Sequence, residues 1–150
     1  MSQFFAIHPE NPQRRLIKQA VEILRSGGLI VYPTDSCYAL GCALGEKAPL
    51  ERLRKIRNAS DRHNFTLVCS DLSAIASYAT VDNSTYRALK AHTPGAFTFI
   101  LPATKKVPRN AWNKRRHIGI RVPDSRIVHE LLDELGEPIM SSSLILPNED

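Results

Sequence analysis

The sequence predicts a single α/β domain built on an open, twisted, mixed sheet with flanking helices. Three observations carry that expectation. The chain has 150 residues, 43% of them hydrophobic, which is one ordinary domain with enough apolar material for a real core. Short apolar, β-rich runs bounded by glycine and proline are interspersed with longer stretches of helical periodicity. The two kinds of segment do not strictly alternate, which argues against a simple doubly wound sheet.

The elements follow in order. Phe4 to Ile7 reads as a short first strand. Asn11 offers a cap oxygen and Pro12 suits a first helical position. Leu16, Ile17, Ala20, Val21, Ile23 and Leu24 then recur at helical spacing, and Gly27-Gly28 ends that helix. Leu29 to Tyr32 reads as a buried central strand, with pairing expected to stop at Pro33. A second apolar stretch runs from Ala39 to Leu44. A helix from Pro49 would place Leu50, Leu53 and Ile56 on one side and Arg54, Lys55 and Arg57 in its last turn. Those cations also suit the helix dipole without any ligand.

Asn58 to Asn64 reads as a polar loop, and Phe65 to Cys69 as a buried strand. Ser70 or Asp71 caps a helix through Tyr78, and Asp82 or Asn83 caps another to His92. Thr93-Pro94-Gly95 is a turn, Phe97 to Leu101 a strand, and 102–117 a basic loop holding the single tryptophan, Trp112. Ile118 to Val122 is a strand closed by Pro123. Ser125 to Leu135 is an amphipathic helix stopped by Gly136 and Pro138. Ile139 and Met140 lead into Ser141-Ser142-Ser143, and Leu144 to Leu146 reads as a last short strand.

Composition narrows the function classes. No apolar run approaches the roughly 18 residues of a membrane-spanning helix, so no membrane partner is expected. No secretory signal pattern opens the chain. Cys37, Cys42 and Cys69 lack a disulfide framework and CxxC spacing, which suits a cytoplasmic protein whose cysteines pack as small hydrophobes. The net charge is +5, and it is unevenly spread. Lys105 to Arg121 holds seven basic residues and no acid, and Lys47 to Arg62 holds six more. Such patches fit a polyanionic ligand, a nucleotide or RNA, although a solvated surface explains any single lysine.

No phosphate-binding glycine loop, GxSxG elbow or HExxH is present. Phosphate handling would therefore fall to side chains: Lys55, Arg57 and Arg121 as cations, and serines as donors. Thr34, Asp35 and Ser36 follow the strand end where ligands bind in α/β sheets. The same three also suit a turn satisfied by their own side chains. Ser141 and Ser143 would share one face if their strand continues.

Six segments stand in a familiar order: PTDSCYALGC (Pro33 to Cys42), KIR (Lys55 to Arg57), HNFTL (His63 to Leu67), TPGAFTFIL (Thr93 to Leu101), IGIRVPD (Ile118 to Asp124) and EPIMSSS (Glu137 to Ser143). Together they resemble the Sua5/YciO/YrdC family, most closely its YciO branch. The resemblance implies a YrdC-like open α/β sheet with a basic concave face. It implies an L-threonylcarbamoyladenylate synthase activity on ATP, bicarbonate and L-threonine, with Mg²⁺ on the phosphates, in tRNA N6-threonylcarbamoyladenosine formation. The alternative it implies is a double-stranded RNA or tRNA binder with little or no synthase chemistry.

Residue by residue, the resemblance assigns Thr34, His63 and Asn64 to the threonine pocket and Arg121 to the threonine carboxylate. Lys55 and Arg57 fall to the ATP phosphates and to catalysis. Ser141 falls near threonine and Ser143 near the nucleotide. The chain departs from the synthase pattern in reading HNFTL where NPL is usual, in His117 two places before the GxR motif, and in Ile145 at the asparagine of SxN. Family chains also run past the position of Asp150, so residues 1–150 are expected to be one domain that stops short of the usual length.

Overall fold

The computed structural model describes residues 3–45, 47–57, 65–108, 111 and 115–143, with backbone alone at Arg57 and Ser143. His63, Asn64, Trp112 and the strand expected over Leu144 to Leu146 lie outside the described residues.

Five helices and six strands are present among the described residues: α1 Arg14–Arg25, β1 Ile30–Pro33, β2 Tyr38–Ala43, α2 Lys47–Arg57, β3 Thr66–Val68, α3 Leu72–Tyr78, α4 Asn83–His92, β4 Phe99–Pro102, β5 His117–Arg121, α5 Arg126–Leu135 and β6 Ile139–Ser143. The strands form one sheet in the order β1-β2-β6-β3-β5-β4. Only the β3–β5 neighbours run parallel; the other four pairings are antiparallel. The mixed sheet expected from irregular alternation is therefore the observed one.

Helices cover both faces. Ile17, Ala20, Val21 and Leu24 of α1 pack with Ile127, Val128, Leu131 and Leu132 of α5 on one face, over Ile30, Tyr32, Ala39 and Ile139. On the other, Leu50 and Leu53 of α2, Ile75 of α3 and Leu89 of α4 pack over Leu40, Leu67, Ile118, Ile120 and Met140. Ile118 and Ile120 of β5, Leu67 of β3 and Met140 of β6 are apolar because that face of the sheet is covered by α2, α3 and α4.

Local signals set several ends. Asp71 accepts from Ala74 N–H at 2.9 Å and Asp82 from Thr85 N–H at 2.7 Å, capping α3 and α4 as expected. Ser125 caps α5, and Gly136 ends it at φ +82°, a conformation that suits glycine.

Three expectations need correction. Phe4 to Ile7 belongs to no strand. Helix α1 starts at Arg14, not after Asn11, because His8 and Gln13 organise the entry. Gln13 Oε1 accepts from His8 N–H, and His8 Nδ1 accepts from Asn11 N–H. The run at Leu29 to Tyr32 is not a central strand. β1 is the sheet edge, and only Ile30 and Tyr32 are buried while Val31 is 55% exposed. Pairing does end at Pro33, which faces Tyr38 across a tight hairpin.

Candidate active site

The loop between β1 and β2 is held by its own threonine. Thr34 Oγ1 donates to Cys37 O at 2.6 Å and accepts from Ser36 N–H and Cys37 N–H. The Thr34 hydroxyl is thus engaged in building the turn. The next residue reaches across the sheet. The Asp35 carboxylate pairs with Arg121 Nη2 through one oxygen and accepts from Asp124 N–H at 2.9 Å through the other. The hairpin loop is thereby stapled to the junction of β5 and α5.

Arg121 is 8% exposed, and its Nε has no hydrogen-bond partner among the described residues. The side chains of Arg121 and Asp35 are 10% and 14% exposed. A buried guanidinium is costly unless paired, so Asp35 is what keeps the charge inside the fold. Because Asp35 spends its second oxygen on Asp124, it does not close a two-pronged contact with Arg121. Among the described residues the donor set of Arg121 stays incomplete at Nε, which is shut off from solvent.

Residues alternate in direction along a strand, so Gly119 shares the face of Arg121 while Ile118 and Ile120 enter the core behind it. Across the sheet the same row holds Ser141 on β6, Thr66 on β3, Gly119 on β5 and Ile100 on β4. Helices α1 and α5 cover the β1 side of this face. At the β4 side Ile100 is 49% exposed and Thr98 is exposed. The face is therefore roofed at one end and open at the other.

Ser141 is buried, and its hydroxyl donates to Leu40 O at 2.9 Å. Its only proton being so placed, the contact with Tyr32 Oη at 2.6 Å has the phenol as donor. Burial pushes the Tyr32 phenol well above its ordinary value, with the Ser141 contact opposing that weakly. Ser141 thus ties the edge strand to the sheet interior. Backbone pairing continues to Ser143, opposite Ala39, as the shared-strand expectation requires.

Of the α2 cations, Arg54 turns inward over the Phe65 ring at 4.7 Å, near Glu51 at 4.0 Å. Lys55 is exposed, with no ion pair among the described residues. Arg57 ends the helix. The structure thus brings together the Thr34 loop, Arg121 and Ser141 on one face. It sets Lys55 apart on the helix that packs behind the sheet. The side chain of Arg57, and all of His63 and Asn64, fall outside the described residues. Sequence reasoning passed over Asp35 as a partner for Arg121, because 86 positions separate them.

A cavity of about 790 Å³ lies elsewhere, between the N-terminal segment, β1, α1 and α5. Among the described residues no group of three or more His, Cys, Asp or Glu is placed to hold a metal ion. None of the described helices is long and apolar enough to cross a membrane.

Comparison with known proteins bears on this arrangement. The Sua5/yciO/yrdC family model, described as "Telomere recombination", matches residues 22–150. YciO of Escherichia coli is 57% identical over the whole chain, which covers 73% of that protein. Its crystal structure superposes with a TM-score of 0.97 over 99% of this chain and 73% of that one. A threonylcarbamoyl-AMP synthase of Nitrosococcus oceani is 33% identical over 85% of this chain and 69% of its own. A crystal structure of P. abyssi Sua5 complexed with L-threonine shares the fold, with a TM-score of 0.83 at 21% identity, over 89% of this chain and 39% of that one. The chain belongs to the Sua5/YciO/YrdC family.

Proposed function

We propose that the protein is a threonylcarbamoyl-AMP synthase-like nucleotidyltransferase acting on ATP, bicarbonate and L-threonine, in the service of tRNA N6-threonylcarbamoyladenosine formation. The observation that carries the reading is Arg121: a largely buried guanidinium on the sheet face that carries Ser141, held by one oxygen of Asp35, with Nε without an acceptor among the described residues. The α-carboxylate of an amino acid is the natural second partner. The similarity to the Nitrosococcus oceani synthase and the fold shared with threonine-bound Sua5 support the same choice of ligand.

The chemistry asked of the site is mostly positioning. The amine of threonine adds to bicarbonate with loss of water, giving a carbamate. A carbamate oxygen then attacks the α-phosphorus of ATP, a new P–O bond forms, and pyrophosphate leaves. Carbamate and triphosphate are both anions, so their approach must be made tolerable by fixed cations. Arg121 would hold the carboxylate end. Arg57, at the end of α2, would meet the phosphates and stabilise the charge that develops on them, and Lys55, on the helix behind the sheet, would have to reach round the sheet's end to join it. The Thr34 loop would wall the amino acid in by shape, since its hydroxyl is engaged in the turn. His63 and Asn64 would close the amino-acid side, and Ser143 the nucleotide side.

Mg²⁺ would arrive with ATP. With no carboxylate or histidine cluster among the described residues, phosphate oxygens and water are its expected ligands, which suits a cation that keeps its hydration. We place the reaction in the cytoplasm, where these substrates meet.

The test is turnover: ATP, bicarbonate and L-threonine are incubated with the protein and pyrophosphate is measured. Threonine-dependent release that Arg121→Ala abolishes is the expected result. Salt-dependent binding of an RNA duplex without any such release would favour the RNA-binding reading instead.

A further inference from the structure

On α2, Leu50 and Leu53 are buried while Lys55 and Ile56 are exposed. Arg54 is the cation of that helix that goes inward. Its side chain is 13% exposed, and its Nε stands 4.0 Å from Glu51 Oε1. Its guanidinium carbon lies 4.7 Å from the centre of the Phe65 ring. Phe65 is fully buried, and its carbonyl accepts from Gly119 N–H at 3.0 Å. One side chain thus ties the last turn of α2 to the residue before β3. That residue is in turn bonded to β5, the strand of Arg121.

Lys55 follows Arg54 directly, and position 57 lies one turn further along the same side of the helix. The turn that carries both of these cations is therefore the turn that Arg54 fastens. Helix ends fray, so a cation there keeps a fixed place relative to the sheet only if its turn is held. Arginine suits the task. Its flat guanidinium covers a ring face while its edge still meets a carboxylate, which a compact ammonium cannot do as well.

We propose that Arg54 is a positioning residue for the phosphate end of the site. Lying over Phe65, it holds the last turn of α2 against the start of β3, so that the α2 cations keep a constant place relative to Arg121. It touches neither ligand. This rests on the reading of the α2 cations as the phosphate contacts.

The experiment measures ATP affinity and, without ATP, L-threonine affinity by calorimetry. The proteins are the wild type, Arg54→Gln, Arg54→Lys, Phe65→Leu and the Arg54→Gln/Phe65→Leu double variant, with Arg57→Ala as the reference for a phosphate contact. ATP binding should weaken about tenfold in Arg54→Gln, the size of effect expected of a residue that acts on a ligand through others. L-threonine affinity should stay at the wild-type value. Arg54→Lys, which keeps the charge without the flat contact, should recover part of the loss. Phe65→Leu keeps an apolar side chain and removes the ring, so it should weaken ATP in the same way. The double variant should then be no weaker than the worse single one. A merely structural role would lower both affinities together, or make the two losses add, and either result overturns the inference. ATP affinity unchanged in Arg54→Gln but weakened in Arg57→Ala also overturns it and leaves the phosphate reading standing. ATP affinity indifferent to Arg57→Ala, or no ATP binding by the wild type, overturns both.

Discussion

Asp35 and Arg121, 86 positions apart, form an ion pair that pins the β1–β2 hairpin loop to the end of β5. Asp35→Asn keeps an acceptor for Asp124 N–H but leaves the guanidinium without a counter-charge. The expected cost is about 3 kcal/mol, that of breaking a largely buried pair. It is measured as a loss of denaturation midpoint at constant slope. If the carboxylate of L-threonine lands on Arg121, added threonine should raise the melting temperature of Asp35→Asn more than that of the wild type. Equal shifts in the two proteins would place the carboxylate elsewhere.

Tyr32, Ser141 and Leu40 O form a short buried chain of hydrogen bonds that ends on the Leu40 carbonyl. Tyr32→Phe removes one net hydrogen bond and should cost about 1 kcal/mol. Ser141→Ala should cost more, about 2 kcal/mol, because it strands the Tyr32 O–H without an acceptor. A double-mutant cycle should therefore show positive coupling. Additive effects would mean that the two hydroxyls act independently.

Gly119 has almost no room for a side chain. A Cβ would meet Thr66 Oγ1 at 2.8 Å, Phe65 O at 3.1 Å and Thr98 Cγ2 at 3.3 Å. One of these neighbours is backbone, so Gly119→Ala should destabilise the fold by about 1–3 kcal/mol. Thermal unfolding measures this, and a melting temperature equal to that of the wild type would show that β3 and β4 yield easily.

The cysteines should behave as two classes. Cys37 is exposed, whereas Cys42 and Cys69 are buried, and burial pushes each of those two thiols up to about 12. One thiol per native chain should react quickly with a maleimide at neutral pH, and three after unfolding. The two raised values also set a pH dependence. The folded chain keeps these thiols protonated, while the unfolded chain ionises them near 9.0. Their contribution to stability is complete below that pH and is lost as pH rises toward about 12. Denaturant midpoints under reducing conditions should fall across this window, and fall less steeply in a Cys42→Ala/Cys69→Ala double variant.

Local chemistry was legible where it acts over a few residues. The α5 boundaries follow from Ser125 and Gly136, and its apolar stripe from Ile127 to Leu135. The Asp71 and Asp82 caps were equally plain. The apolar run at Leu29 to Tyr32 showed a strand but not its place, since an edge strand and a central one differ only in their partners. Phe4 to Ile7 has a strand's composition without a neighbour to pair with.

In the candidate site, motif order named Arg121 and Ser141 but not the bonds they make. Asp35 and Leu40 O compete for those groups only once the chain is folded. The turn-forming use of Thr34 was visible from its neighbours, because all its partners lie within three residues.

The most direct measurement is ATP affinity with and without saturating L-threonine and bicarbonate, in wild type and Arg121→Ala, with Arg57→Ala to report on the phosphates. Tighter ATP binding in the presence of threonine is expected in the wild type and should vanish in Arg121→Ala, while Arg57→Ala should weaken ATP at either threonine level. An ATP affinity that ignores threonine in the wild type would contradict a shared site for the two ligands.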